Sequence, residues 1–272
     1  MENLKVGIIG GRGQLGGWCA GLFQRRGASV LVADFGSELT NREIAQRADV
    51  VVVSVPIGVT DSVLGEIVGE LSPEQLLVDF TSVKTPFIAK MEDGASEVLS
   101  VHPMFNPQLS ATQDQTCIVC PVRTGERARL FEGVLRHEGL QLVSMTPEAH
   151  DKMMAIVQGL THFQAMTAAH CMAALHFNPA ETLQSASPVY RLRLAMIGRI
   201  LAQNPRLYAE IQIYNPFVRD VLEQLRRSSE RLLSLIMAKD VDGLVAEFSR
   251  VRDELGAFSQ ESLNEFSQAS ER

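Results

Sequence analysis

The sequence is short of several things, and each shortage removes a class of protein. Its 272 residues include 4 cysteines (Cys19, Cys117, Cys120 and Cys171), too few and too scattered for a disulfide framework. Cys117 and Cys120 have the spacing of a redox or zinc pair. They lie inside the strand-like run Thr116-Cys117-Ile118-Val119-Cys120, however, which reads as packed thiols, so no metal is expected. No apolar run is long enough to span a bilayer, and Met1-Glu2-Asn3 leads into a strand pattern without a leader; a cytoplasmic protein is the expectation. Basic residues are outnumbered, 25 Lys and Arg against 32 Asp and Glu for a net charge of −7, which argues against a nucleic-acid partner. Internal repeats and low-complexity linkers are also lacking, and the length suits two domains with separate cores.

What the chain does have is a concentration of glycine near its start. Val6-Gly7-Ile8-Ile9-Gly10-Gly11-Arg12-Gly13-Gln14-Leu15-Gly16-Gly17 places an apolar strand before a glycine turn that opens a helix. Gly11, Gly13 and Gly16 match GxGxxG: the first for a tight turn, the second for approach of a pyrophosphate, the third for close packing of helix on strand. The helix N-terminus offers unpaired N–H groups to phosphates. A second strand, Ala28-Ser29-Val30-Leu31-Val32-Ala33, ends at Asp34, where a carboxylate accepts hydrogen bonds from an adenosine ribose and repels a 2′-phosphate. NAD is therefore the expected cofactor, although Arg12 suits either nicotinamide coenzyme. The expected contacts are Gly11, Arg12, Gly13, Gln14, Leu15, Gly16 and Asp34, joined by Ser54, Val55 and Pro56 after the third strand.

Strand runs alternate with helical stretches up to about residue 146, at 50–56, 76–80, 98–101, 116–120 and 140–143 after the first two. This predicts an α/β class: a Rossmann-type parallel-sheet domain over 1–146, then an all-helical substrate-binding and dimerisation domain over 147–272. Helices are expected at 149–175, about 180–203, about 206–237 and about 240–268. Met153 to Val157 and Leu192 to Leu201 are apolar all round, which predicts a homodimer through the helical half.

Ligands of open α/β sheets bind beyond the carboxyl ends of strands, so residues just after strands carry most weight. His102 stands there and reads either as a general base near the nicotinamide or as a strand cap before Pro103. Ser82, at a neighbouring strand end, is placed to orient its imidazole by a hydrogen bond. Lys84 reads as a phosphate or carboxylate contact or as a solvated lysine. Arg191 and Arg199, eight apart, share a helix face with apolar flanks and suit either a dicarboxylate substrate or a buried ion pair. His150, Asp151 and His162 on the first long helix read as capping or packing residues.

Taken together, Gly10 to Gly16, Val53-Ser54-Val55-Pro56-Ile57, Val78 to Lys84, His102-Pro103-Met104-Phe105, Glu148-Ala149-His150-Asp151 and Ser187 to Gln203 resemble the prephenate dehydrogenases, above all the branch fused to chorismate mutase in enteric bacteria. The resemblance implies an oxidoreductase of aromatic amino acid (tyrosine) biosynthesis that uses NAD to oxidise and decarboxylate a cyclohexadiene, giving 4-hydroxyphenylpyruvate from prephenate. It also implies His102 as base, Ser82 as its orienting partner, Arg199 as anchor of the ring carboxylate, and Arg191, Lys84 and His162 as substrate contacts. A separate chorismate mutase-type enzyme is then expected to supply the substrate. Asn106 stands where this branch usually has glycine, and a hydrogen-bonding side chain at that place suits a C4 hydroxyl or the amine of 4-amino-4-deoxyprephenate, the substrate of related stand-alone enzymes of antibiotic biosynthesis that form 4-aminophenylpyruvate. The competing readings are a β-hydroxyacid or pyrroline-carboxylate type reductase, with Lys152 near the start of the first long helix, and a non-catalytic NAD-binding regulator.

Overall fold

The computed structural model describes residues 3–107 and 112–270. A seven-stranded sheet has the order β2-β1-β3-β4-β5-β6-β7. Its strands are β1 (Lys5–Ile9), β2 (Ser29–Ala33), β3 (Val50–Val53), β4 (Leu76–Asp79), β5 (Glu97–Pro103), β6 (Thr116–Arg123) and β7 (Gln141–Ser144). The helices between them are α1 (Gln14–Gln24), α2 (Asn41–Arg47), α3 (Ile57–Ile67), α4 (Thr85–Glu92) and α5 (Glu126–His137). Strands buried on both faces read as continuous β-branched runs, and the Val50-Val51-Val52-Val53 stretch of β3 is buried throughout. The sheet departs from the parallel expectation at one place: β6 runs antiparallel to β5. Among the described residues no helix connects these two strands, and without a crossover the chain comes back alongside the strand it has just left.

One sheet face packs Leu22 and Phe23 of α1 and Phe131 and Leu135 of α5 onto Val6, Val52 and Val78; the other packs Ile44 of α2, Leu64 of α3 and Met91 of α4 onto Val51 and Leu77.

After the sheet come α6 (Pro147–Met154), a π-helical segment over Ala155–Leu160, α7 (Thr161–Ala174), α8 (Pro179–Thr182), α9 (Pro188–Leu201), α10 (Pro205–Tyr214), α11 (Val218–Met237), α12 (Val241–Leu255) and α13 (Phe258–Ser270). The starts of α6, α8, α9 and α10 use one device: a cap side chain (Thr146, Asn178, Ser187, Asn204) followed by proline at the first helical position. The helix expected over 206–237 is interrupted at Asn215-Pro216. The one expected over 240–268 stops at Gly256, whose φ of 60° suits a residue without a side chain.

Strands give way to helices at 146/147, but compact packing divides the chain elsewhere. Met1–Gly159 forms one unit together with Asn204–Val218, and Leu160–Gln203 forms the other with Arg219–Arg272. Within the first, Gly159 admits Val218 so closely that a Cβ would lie 2.7 Å from its Cγ2. Within the second, α7, α9 and α11 enclose a groove of about 560 Å³ lined by Ala165, Ala168, Arg193, Met196 and Leu225.

Phe131 is fully buried, with its ring 5.4 Å from that of Phe23 and 6.3 Å from that of Phe80. Phe131→Ala should lower the stability of the sheet unit by about 3–5 kcal/mol. Urea unfolding followed through the single tryptophan, Trp18 of α1, will report it, and an unchanged midpoint would refute this account of the core.

Candidate functional site

The glycine turn has the shape expected, with one role moved. The strained turn falls on Gly10, at a φ of 84°, where a Cβ would meet the Ser54 carbonyl oxygen at 2.2 Å. Gly11, expected to make that turn, instead lies against β2: a Cβ there would be 2.7 Å from Val32 Cγ1. Gly16 fills its expected part, since a Cβ would come within 2.4 Å of the Gly10 carbonyl oxygen. Gly13 is the N-cap of α1, and no side chain caps that terminus. Arg12 donates its backbone N–H to Asp34 Oδ2 at 2.8 Å, and its guanidinium reaches the Phe35 carbonyl at 3.2 Å. Glycines where side chains would collide, an uncapped helix start and a carboxylate at the end of β2 together fit a dinucleotide. Gln14 and Leu15 open α1, and the segment of Ser54, Val55 and Pro56 borders the turn through Ser54.

At the same carboxyl end of the sheet lies a buried chain of polar groups. His102, 4% exposed at the end of β5, shares a 2.9 Å hydrogen bond between its Nδ1 and Nε2 of His150. His150 Nδ1 in turn lies 2.8 Å from Asp151 Oδ1. The Asp151 carboxylate accepts the backbone N–H groups of Lys84 at 2.9 Å and Thr85 at 2.8 Å, and the Thr85 hydroxyl as well. It thereby closes the N-terminus of α4, which no local side chain caps. Burial alone would raise this carboxyl, but the hydrogen bonds from His150, Thr85 and Lys84 outweigh it and hold Asp151 below the usual carboxylate value.

An ionised carboxylate only accepts, which sets both ring tautomers. His150 donates from Nδ1 to Asp151 and accepts at Nε2. His102 therefore donates from Nδ1 to His150, and its own Nε2 keeps a lone pair. Burial first, then the charges of Lys84 and His150, push His102 well below the ordinary value of 6.5, so the imidazole is neutral at neutral pH. The Trp18 ring of α1 meets Phe105, three residues beyond His102, edge to face at 5.3 Å. The helix behind the glycine turn thus steadies the segment that follows the histidine.

The other expected site residues divide into those this arrangement uses and those it does not. Ser82 is half-buried and, among the described residues, makes no hydrogen bond to His102; His150 takes that part. Lys84, read as an anion contact or a solvated lysine, is 0% exposed and donates from Nζ to Asp79 Oδ2 and to the Val101 carbonyl, so its ammonium is turned into the protein. Asn106 is exposed on the segment after β5. In the second unit Arg191 and Arg199 are exposed, against the expectation of an apolar enclosure, and Arg191 donates to the Leu183 carbonyl. His162, half-buried on α7, is lowered to about 4 by burial and by the neighbouring Arg199 charge. The cysteine reading holds for Cys117 and Cys120, which are buried and pushed up by burial to about 12 and about 11; Cys171 is exposed. The sequence reading missed the part played by His150 and Asp151. The available signal was a histidine and an aspartate side by side near the start of α6, followed by the apolar run from Met153 to Val157.

The family profile described as "Prephenate dehydrogenase, nucleotide-binding domain" matches residues 26–135, and "Prephenate dehydrogenase, dimerization domain" matches 146–250. The "Probable arogenate/prephenate dehydrogenase" of Methanocaldococcus jannaschii is 35% identical over 89% of this chain, which spans only 59% of that protein's length. The "T-protein" of Haemophilus influenzae is 33% identical, covering 96% of this chain and 70% of its own. The "4-amino-4-deoxyprephenate dehydrogenase" of Streptomyces pristinaespiralis is 26% identical, covering 93% and 92%. Among solved structures, prephenate dehydrogenase from A. aeolicus in complex with hydroxyphenyl propionate and NAD+ superposes with a TM-score of 0.71 at 20% identity, covering 92% of this chain and 96% of that one.

A methyl group at position 16 would force α1 away from the Gly10 carbonyl. Gly16→Ala should therefore weaken NAD+ binding roughly tenfold or more, about 1.4 kcal/mol. Calorimetric titration will measure this, and unaltered affinity would contradict the packing assigned to the turn.

Proposed function

Because the chain belongs to the prephenate dehydrogenase family, we propose that it oxidises and decarboxylates a prephenate-type cyclohexadiene with NAD+ as coenzyme. The observation that carries this reading is the His102 lone pair at Nε2, presented by a buried carboxylate through a second imidazole at the carboxyl end of the sheet. The glycine turn at 10–16, Asp34 and the Ser54 to Pro56 segment would hold the coenzyme. Bound there, NAD+ supplies the acceptor for the hydride that leaves ring C4.

The chain's own residues handle the proton. As C4 gives up its hydrogen with the bonding electron pair, His102 Nε2 takes the proton of the C4 hydroxyl, and the oxygen lone pair forms the carbonyl character that the cation at C4 requires. Cleavage of the bond from C1 to its carboxylate returns electrons to the ring as carbon dioxide departs, and the ring becomes aromatic. His150 and Asp151 keep His102 in the tautomer that can accept, and Asp151 stays ionised to balance, through His150, the imidazolium that forms. We assign Arg199 to the ring carboxylate, with Arg191 and His162 as further contacts to the dianion. Arginine's planar fork matches a carboxylate, and burial, with the nearby Arg199 charge, keeps the His162 imidazole neutral.

Two further assignments belong to this reading. Asn106 faces the choice at C4: 4-amino-4-deoxyprephenate is a second candidate substrate, favoured by the likeness to the Streptomyces enzyme along nearly its whole length. A homodimer through the second unit is supported by the dimerization profile and by exposed apolar side chains at Leu192, Met196, Leu233, Ile236 and Phe248.

The experiment is NADH formation with prephenate and with its 4-amino analogue, wild type against His102→Asn. The variant should lose about 10²–10⁴ in kcat while still binding NAD+; near-normal turnover would remove His102 from the mechanism. An imidazole works as a base only when neutral, and His102 titrates below 6.5. For prephenate, kcat/KM should thus stay level from about pH 8 down to about 6.5 and fall only below that. A fall centred above 6.5 would contradict the assigned environment.

A further inference from the structure

Lys84 is one of the largest fully buried side chains in the protein, and the reaction as described does not use it. Its Nζ donates to Asp79 Oδ2 at 2.9 Å and to the Val101 carbonyl at 2.8 Å, and Val101 is the residue immediately before His102. Its backbone N–H donates to Asp151 Oδ1 at 2.9 Å. Asp79 Oδ2 also accepts the Thr81 hydroxyl at 2.5 Å and the Thr81 N–H at 3.1 Å, so the ion pair is anchored at the end of β4. One residue therefore touches the strand end that carries the base and, by its main chain, the carboxylate that orients it.

Resting on the reading of His102 as the base, we propose that Lys84 is its positioning residue: it clamps the end of β5 to the Asp151 carboxylate and sets a fixed positive charge beside the two imidazoles. A buried ion pair adds little net stability over a well-packed apolar pair, so a cation buried at this point is explained better by what it does to its neighbours. Protonation of His102 or His150 would put a second positive charge next to the ammonium. The other titratable groups around the pair are Asp79 at the end of β4, Asp151 on α6, and the thiols of Cys117 and Cys120 on β6, which burial keeps neutral. Asp79 is paired with Lys84 itself, and Asp151 reaches His102 only through His150. The ammonium is thus the larger of the two nearby charges that oppose protonation of His102, ahead of His150 and in the same direction as burial.

Removing Lys84 alone strands a buried carboxylate, so the test pairs Lys84→Met with the double variant Asp79→Asn and Lys84→Met, which leaves no unpaired charge. The readouts are the NMR titration of the His102 ring, its resonance identified by loss in His102→Asn, and the pH profile of kcat/KM. In the folded double variant the His102 titration should rise by about one pH unit. It should stop short of the ordinary value because burial remains, and the acid limb of kcat/KM should rise with it. A ring titration unmoved in a folded variant overturns the proposal, whether turnover is kept or lost. The titration is independent of turnover, so an enzyme inactive on both cyclohexadienes would count against the proposed reaction while Lys84 is still decided by the ring.

Discussion

The carboxylate of Asp151 is the constraint on which the site depends. It is buried, yet it keeps its charge because Lys84 and Thr85 present backbone N–H groups from an otherwise uncapped helix start and His150 donates from the other side. A charge held this way has consequences in two directions. It ties α6 to α4 across 67 residues of sequence, and it leaves His150 no choice of tautomer. His102 inherits that choice. The position of a lone pair inside the first unit is thus determined by where a carboxylate was placed to satisfy main-chain donors.

The parallel strands bring that imidazole to the same carboxyl end of the sheet as the nucleotide turn. β5 runs parallel to β4, so His102 emerges at the same edge as the glycine turn after β1, and the Trp18 to Phe105 contact couples the nucleotide helix to the segment beyond the histidine. α10 is fastened to the same frame: Glu210, only 6% exposed, accepts the Gly58 N–H at the start of α3, and Asn215 donates to the Asp151 carbonyl at 2.8 Å. This explains why residues 204–218 return to the first unit although the sequence around them is helical throughout.

Much of this was legible from residues alone, and what was not has physical causes. The strands were readable because β-branched runs such as Val50 to Val53 are bounded by turn residues. The glycine turn was readable because few residues other than glycine can occupy it. The antiparallel seating of β6 was hidden because strand patterns carry no direction; a clue was the short stretch between residues 103 and 116, which has no helical pattern in the sequence. Gly10 was overlooked as the strained residue because the GxGxxG pattern begins one position later. Lys84 misled because a lysine after a strand usually faces water, and its acceptors, Asp79 and the Val101 carbonyl, come together only when β4 and β5 are side by side. The relay was invisible for a similar reason: His102 and His150 are 48 residues apart, and neither announces the other.

The most direct measurement of the central claim is the tautomeric state of His102, read from ¹⁵N chemical shifts of the histidine ring nitrogens at neutral pH. The account predicts a neutral ring protonated at Nδ1 with a bare Nε2, and a His150 ring that is likewise protonated at Nδ1. A charged His102 ring, or one carrying its proton on Nε2, would contradict it.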